Sequence, residues 1–336
     1  MRFNGLDLNL LVVLDALLDE KKIIGAAKRL STSQSAVSGM LAKLRVHFGD
    51  QLLVPTGRTM TVTPLGQDLQ EPVRALLLRI QATVAHRPTL DIATEKRTFR
   101  ITVSDYAVQL LLAPLMHRLQ AVAPFISLEL RPQIENAHQF LRNGETDLSI
   151  MPADFIDPEQ PHEQLFEDTF SCVVWNGNTA VGESLDLDTF LRSGHAVVRL
   201  GQPSVPSLAE SHLDALGLAR RTCITTHDFT SLIPMVVNTQ MIAITQTRLA
   251  LDTQARLPIR VLAPPVPLPA LRMSMQWHRY QTSDPSHRWL REQFVDVARK
   301  LGLPDQLVTT SSGAPANRAA VMRSTRSDSA IGRQNR

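Results

Sequence analysis

The chain has 336 residues, 43% of them hydrophobic, enough for two or three globular domains, and no run approaches the ~20 apolar residues of a membrane span. Its two cysteines, Cys172 and Cys223, make neither a disulfide framework nor, by themselves, a zinc site; reduced, packed thiols in a cytoplasmic protein are expected. Charge is uneven, +3 over residues 1–60, +2 over 61–100, −5 over 101–300 and +3 over 301–336, as expected if the N-terminal part meets phosphates.

An early Asp7 and the lack of a basic-then-apolar leader predict no secretory signal. Residues 7–18 predict a helix with Leu8, Leu11, Leu14 and Leu18 inward. Residues 24–48 predict two short helices meeting at a polar turn, where Ser31, Thr32 or Ser33 can cap the second. That second helix puts Val37, Met40, Leu41, Leu44 and Phe48 on one face. Gln34, Ser35, Ser38, Gly39, Ala42 and Arg45 occupy the other. A helix entering a major groove needs small residues for close approach, an amide to read a base edge and cations for phosphates. An ordinary helix pair fits these residues about as well, and the flanks decide. Gly49-Asp50 stops the helix, and Leu52–Val54 and Met60–Val62 predict strands about a turn at Pro55–Arg58. Residues 1–63 thus read as a winged helix-turn-helix.

Pro64 opens a long linker helix over 64–88. Leu65, Leu69, Val73, Leu76, Ile80 and Val84 recur almost as a heptad, so Leu69, Val73, Leu76 and Ile80 are expected to pair two subunits. Residues 88–96 read as a hinge. From Arg97 the order becomes strand–helix–strand, which predicts parallel pairing with ligands at the carboxyl ends of strands. Residues 228–238 predict a helix, as do 284–300. Residues 303–336 are poor in apolar side chains, and a disordered tail is expected. No His-Glu-x-x-His, Cys-x-x-Cys, Gly-x-Ser-x-Gly, Gly-x-Gly-x-x-Gly or P-loop occurs, so nothing proposes an enzyme or a metal site.

Residues 6–66 resemble the DNA-binding domain of LysR-type transcriptional regulators. Leu8-Asn9-Leu10-Leu11, Ala26-Ala27-Lys28-Arg29-Leu30, Ser33-Gln34-Ser35-Ala36-Val37-Ser38 and Thr63-Pro64-Leu65-Gly66 carry the likeness. The opening Met1–Leu11 and Met275-Gln276-Trp277-His278 resemble most the branch of nodulation regulators and regulators of naphthalene, salicylate and chloroaromatic breakdown. Ser35 stands where the family usually has proline. Pro55 stands where the wing usually has arginine, so one phosphate contact is expected to be missing.

The resemblance implies an α/β chain with a two-lobed effector domain over 97–302, built like type 2 periplasmic binding proteins. Lobe 1 would be about 97–171 and 272–302, and lobe 2 about 172–271. It implies double-stranded operator DNA, RNA polymerase, a homodimer or homotetramer, and a small aromatic inducer, with no cofactor and no membrane. The DNA-binding residues would be Ser33, Gln34, Ser35, Ser38, Lys43, Arg45 and Arg58. Gln34 and Ser38 would read bases, while Lys43, Arg45 and Arg58 hold phosphates. By the same resemblance Ser104, Thr169, His195, Phe229, Thr230, Arg248 and Trp277 would line the effector cavity. The first expectation is an activator of catabolic genes for aromatic or chloroaromatic compounds. The alternative is a flavonoid-responsive nodulation regulator, and a purely architectural DNA binder ranks last.

Overall fold

In a computed structural model of the chain, residues 2–3, 5–56, 59–84, 90–133, 137–201 and 204–302 are described. Arg58 and the expected tail over 303–336 lie outside the described residues. Two short strands, β1 (Arg2–Phe3) and β2 (Leu6–Asp7), pair ahead of three helices, α1 (Asn9–Glu20), α2 (Ile23–Arg29) and α3 (Gln34–Phe48). Leu10, Leu14, Leu17 and Leu18 of α1 close over Ala26, Ala27, Val37, Leu41 and Leu44. Leu8, expected inward, precedes α1 at its N-cap and is exposed. Ser33 caps α3, its hydroxyl accepting from Ala36 N at 3.2 Å, and Gly49 ends it with a left-handed φ of 62°. The wing follows as β3 (Leu53–Thr56) paired antiparallel with β4 (Thr59–Val62).

The linker helix α4 (Pro64–Val84) has 21 residues, about 31 Å at 1.5 Å per residue. Its heptad splits between two tasks. Val73 is buried in the core of its own DNA-binding domain, and Leu69 packs against that core. Leu76, Ile80 and Val84 remain exposed. Val73 is therefore corrected from a subunit contact to intrachain packing, because α1 already occupies that side of the helix, while Leu69 stays partly exposed beside it. Arg74, which follows Val73 and is not part of the apolar stripe, is buried: its Nε donates to Asp15 Oδ1 at 2.7 Å, and its Nη2 lies 3.3 Å from Asp19 Oδ1. Arg29 of α2 reaches the same two carboxylates at 3.1 and 2.6 Å, so one ion cluster ties α1, α2 and α4.

The effector module has two sheets. The first contains β5 (Arg97–Val103), β6 (Ile126–Arg131), β7 (Leu148–Pro152) and β8 (His162–Asp168), joined late by β15 (Leu271–Trp277) in the order β6-β5-β7-β15-β8. The second contains β9 (Phe170–Trp175), β10 (Gly194–Leu200), β11 (Val205–Pro206), β12 (Arg221–Thr226), β13 (Ile242–Gln246) and β14 (Ile259–Leu262), in the order β11-β10-β13-β9-β14 with β12 also on β10. The chain crosses between sheets at Thr169 and returns between Leu262 and Leu271. Around these pack α5 (Asp105–Ala107), α6 (Ala113–Val122), α7 (Ala137–Arg142), α8 (Leu187–Arg192), α9 (Leu208–Ala215), α10 (Thr247–Gln254) and α11 (Pro285–Arg299). A π-helical turn at Val108–Leu112 joins α5 to α6.

The helix expected over 228–238 is absent; only a single 3₁₀ turn, Pro234–Val236, forms. The Asp228 carboxylate accepts from Ser231 N at 2.7 Å and Thr230 Oγ1 at 3.3 Å, a local turn that competes with helix, and Asn238 takes a left-handed φ of 61°. Lobe 1 also touches the linker helix. A Cβ built on Gly144, whose φ is +66°, would lie 2.1 Å from Leu78 Cδ2 of α4.

Candidate DNA-binding surface and inter-lobe cleft

The exposed face of α3 follows from its inward stripe. With Val37, Leu41 and Leu44 buried, Gln34, Ser35, Ser38, Gly39, Ala42 and Lys43 face outward. A Cβ added at Gly39 would meet nothing within 4 Å, so this side is open to close approach. Ser33 and Ser35 hydroxyls lie 3.0 Å apart at the helix start. Arg45 is corrected from a phosphate ligand to a brace. Its Nε donates to Gln51 O and its Nη2 to Leu53 O, both at 2.8 Å, because the last turn of α3 lies over carbonyls leading into the wing. The same loop holds Leu52 at a left-handed φ of 60°, fixed by its amide donating to Asp50 Oδ1, which also accepts from the Thr63 hydroxyl at 2.6 Å.

Between the two lobes lies a cleft of about 40 Å³, room for only a few waters. It forms where the strands of both sheets end. Ser104 follows β5, Pro152 ends β7, Leu200 ends β10 and Gln246 ends β13, while Phe170 and Leu271 begin β9 and β15. Tyr106, Phe155 and Met273 complete the lobe 1 wall, and Phe229, Ser207 and Leu208 the lobe 2 wall. The polar lining is neutral, without lysine or arginine. Tyr106 donates its hydroxyl proton to Asp168 Oδ2 at 2.6 Å. Gln133 donates from Nε2 to Ile150 O at 2.6 Å. Gln246 accepts at Oε1 from Thr245 Oγ1 at 3.0 Å. The Asp168 carboxylate is 1% exposed and also accepts from Thr169 N at 2.8 Å and Arg248 N at 3.3 Å. Burial pushes both the Asp168 carboxyl and the Tyr106 phenol above their ordinary ranges.

Of the seven residues expected in the cavity, the structure brings together Ser104 and Phe229. Thr169 ties the crossing, its Oγ1 2.8 Å from Thr247 Oγ1 and its carbonyl accepting from Thr247 N at 2.8 Å. Thr230 is exposed on the lobe 2 loop. Arg248 directs its Nη1 to Leu301 O at 3.0 Å, away from the lining. His195 is corrected to a core histidine: it is fully buried, 2.7 Å from Phe190 O, with its ring on Phe190 at 4.7 Å. It sits near the amino end of β10, and the cleft takes the carboxyl end. Trp277 is corrected likewise. Its strand presents Leu271 and Met273 to the cleft, and roughly 20 Å along the seven-residue strand Trp277 donates to Thr282 Oγ1 at 3.0 Å beneath the Arg291 guanidinium. Tyr106, Gln133, Phe170 and Gln246 were not expected. The strand-end rule, applied to every strand, would have favoured Leu200 over His195 and found Gln246. No periodicity marks Gln133, which lies beyond its strand.

A winged helix-turn-helix, a long helix and a two-lobed α/β module with an inter-lobe cleft define a DNA-binding regulator with a ligand-responsive domain. A family model for the bacterial regulatory helix-turn-helix protein, lysR family, matches residues 8–67, and one for the LysR substrate binding domain matches 93–299. Nodulation protein D 1 of Bradyrhizobium diazoefficiens is 34% identical over 91% of this chain and 98% of its own. Nodulation protein D 1 of Mesorhizobium japonicum is 36% identical over 90% and 97%. A solved probable transcriptional regulator from Pseudomonas aeruginosa is 25% identical with a TM-score of 0.59, covering 87% of this chain and 97% of its own. Full-length OxyR from the same organism shares the fold at 18% identity, with a TM-score of 0.64 over 88% and 95%. The chain belongs to the LysR family of transcriptional regulators, whose members bind DNA and small-molecule effectors and oligomerise. It is not an enzyme. Among the described residues, no helix is long and apolar enough to cross a membrane.

Proposed function

We propose that the protein acts in the cytoplasm as a cofactor-free regulator of nodulation type, working with RNA polymerase at operator DNA and answering to a neutral, hydroxylated aromatic ketone of the flavonoid class. This replaces the first expectation, aromatic catabolism, with the alternative, because the relatives compared are nodulation proteins. The observation that carries the effector class is the neutral polar lining of the cleft. Tyr106 has committed its proton to Asp168, so its oxygen presents acceptance and calls for a ligand hydroxyl. Gln133 has committed its nitrogen and keeps an acceptor oxygen; Gln246 has committed its oxygen and keeps donors for a ligand carbonyl. Phe155, Phe170 and Phe229 supply ring-packing surface. A carboxylate such as salicylate would find no cation in the lining and a buried carboxylate behind Tyr106. An unpaired buried charge costs several kcal/mol or more. Gln34 and Ser38 read the operator, and Lys43 with Arg58 hold its phosphates.

Thermal shift separates the two effector classes. At 100 times its dissociation constant, naringenin should stabilise the protein by about 2.7 kcal/mol, whereas salicylate should leave melting unchanged. Stabilisation by salicylate and none by naringenin would return the reading to aromatic catabolism.

A further inference from the structure

The cleft described here is too small for the effector class proposed above. About 40 Å³ holds a few waters, whereas a cavity on the order of 150 Å³ takes up benzene. An aromatic effector therefore enters only when the lobes part. Away from the crossing, three side chains bridge the lobes among the described hydrogen bonds. Gln109 Nε2 donates to Asp252 Oδ2 at 2.8 Å, and Arg248 Nη1 to Leu301 O at 3.0 Å; none of these four residues lines the cleft. Asp105 differs. It directly follows the cleft-lining Ser104, and its Oδ1 accepts from Phe229 N at 3.1 Å while its Oδ2 accepts from Thr230 N at 2.6 Å. One carboxylate thus takes two main-chain N–H groups from the opposite lobe, one of them belonging to the cleft-lining Phe229. Bonds of this charge-assisted kind are about twice as strong as neutral ones.

We propose that Asp105 is an autoinhibitory clasp: its bonds to Phe229 and Thr230 hold the cleft shut and set the effector threshold of the regulator. The clasped state excludes the ring, so the clasp and the effector compete. A ligand that binds only the open state has its affinity reduced by the open fraction. Gln109 lies one helical turn beyond Asp105 and bridges the same lobes, and the π-helical turn Val108–Leu112 begins between them. Such turns are frequent at functional sites, where they shift the register of the side chains that follow. The threshold role rests on the cleft being the effector site; the closure itself does not.

The test uses the full-length protein and two readouts. Binding of the dye anilinonaphthalene sulfonate without any effector reports the exposed apolar walls, and calorimetry reports naringenin affinity. Asp105→Ala should raise dye binding several-fold and tighten naringenin by about tenfold, as expected for a state about one-tenth open. Gln109→Ala, outside the lining, should change both less. Asp105→Asn keeps one acceptor and loses the charge. It should move both readouts in the same direction by a smaller factor, and it carries the test if Asp105→Ala does not fold. Dye binding unchanged in both Asp105 variants would overturn the clasp. So would weaker naringenin binding at an unchanged melting temperature, since the bonds would then belong to the liganded state. Raised dye binding with no naringenin bound by any variant would uphold the closure and refute the effector class.

Discussion

Gln34 stands exposed on the first turn of α3, one residue beyond the cap that fixes it, and its amide forms no hydrogen bond among those described. A rigid helix start with an uncommitted amide suits base reading. Gln34→Ala should cost roughly 1–3 kcal/mol on the preferred operator and relax specificity there, with little change on random DNA. Equal losses in gel-shift titrations on both DNAs would assign Gln34 to the backbone instead. Arg45 makes the contrasting case. Two strong bonds to wing carbonyls mean that Arg45→Ala should lower the melting temperature of the DNA-binding domain. It should leave the salt slope of DNA binding near that of wild type, where a lost phosphate contact would flatten it by about one unit. Sequence pattern placed both residues on the helix. It had no means of showing that one cation was already spent, because the acceptors are main-chain oxygens, which every residue type supplies.

At the scale of elements, α4 serves two partners along one stripe. Val73 fills the core of its own domain, while Leu76 and Ile80 stay exposed in the single chain. Val73→Ala should therefore lower monomer stability by about 2 kcal/mol, from two lost methyl groups and a partial cavity. Leu76→Asp should leave monomer stability nearly unchanged and yield smaller particles in sedimentation velocity, with loss of operator binding. An unaltered sedimentation coefficient would remove Leu76 from the subunit contact. The heptad was legible, but a repeat reports only that a helix side is covered. The Asp15–Arg74 pair that assigns half of that side to α1 joins residues 59 positions apart, and no local pattern announces it. The parallel pairing of β5 with β6 and β7 was readable from the strand–helix–strand spacing, whereas the antiparallel placing of β15 and β8 beside them was not. The stretch 228–238 was misread because its apolar spacing is helical, while Asp228, Pro234 and Asn238 each favour a turn. The resemblance supplied both Ser104 and Trp277 without their ends of the strands: Ser104 lies in the cleft because it follows β5 and caps a helix, whereas Trp277 lies at the far end of β15.

Across the whole molecule, three buried imidazoles couple folding to pH. Burial lowers His195, His278 and His287 from 6.5 to about 4. The unfolded chain binds their protons first as pH falls, so the stability they contribute is complete above about pH 6.5 and is lost progressively towards pH 4. The slope reaches at most about 4 kcal/mol per pH unit for three protons. Asp168 opposes this weakly, since its raised carboxyl pKa favours folding on the acid side. Urea midpoints should fall between pH 7 and pH 5, and a flat profile would show that the three rings are hydrated. The seat of the linker helix on lobe 1 bears on the engineering of hybrid sensors. Gly144 leaves no space for a Cβ beneath Leu78, so the two positions form a matched pair although one belongs to the helix and the other to the effector module. A chimera that joins a foreign effector module after residue 84 would bring its own residue to the place of Gly144. A side chain there would force Leu78 to turn away and would strain a backbone held at a φ of +66°. A splice between residues 63 and 64 would keep that pair together but would part Val73 and Arg74 from the α1 side chains they meet, so either junction leaves one matched surface to rebuild.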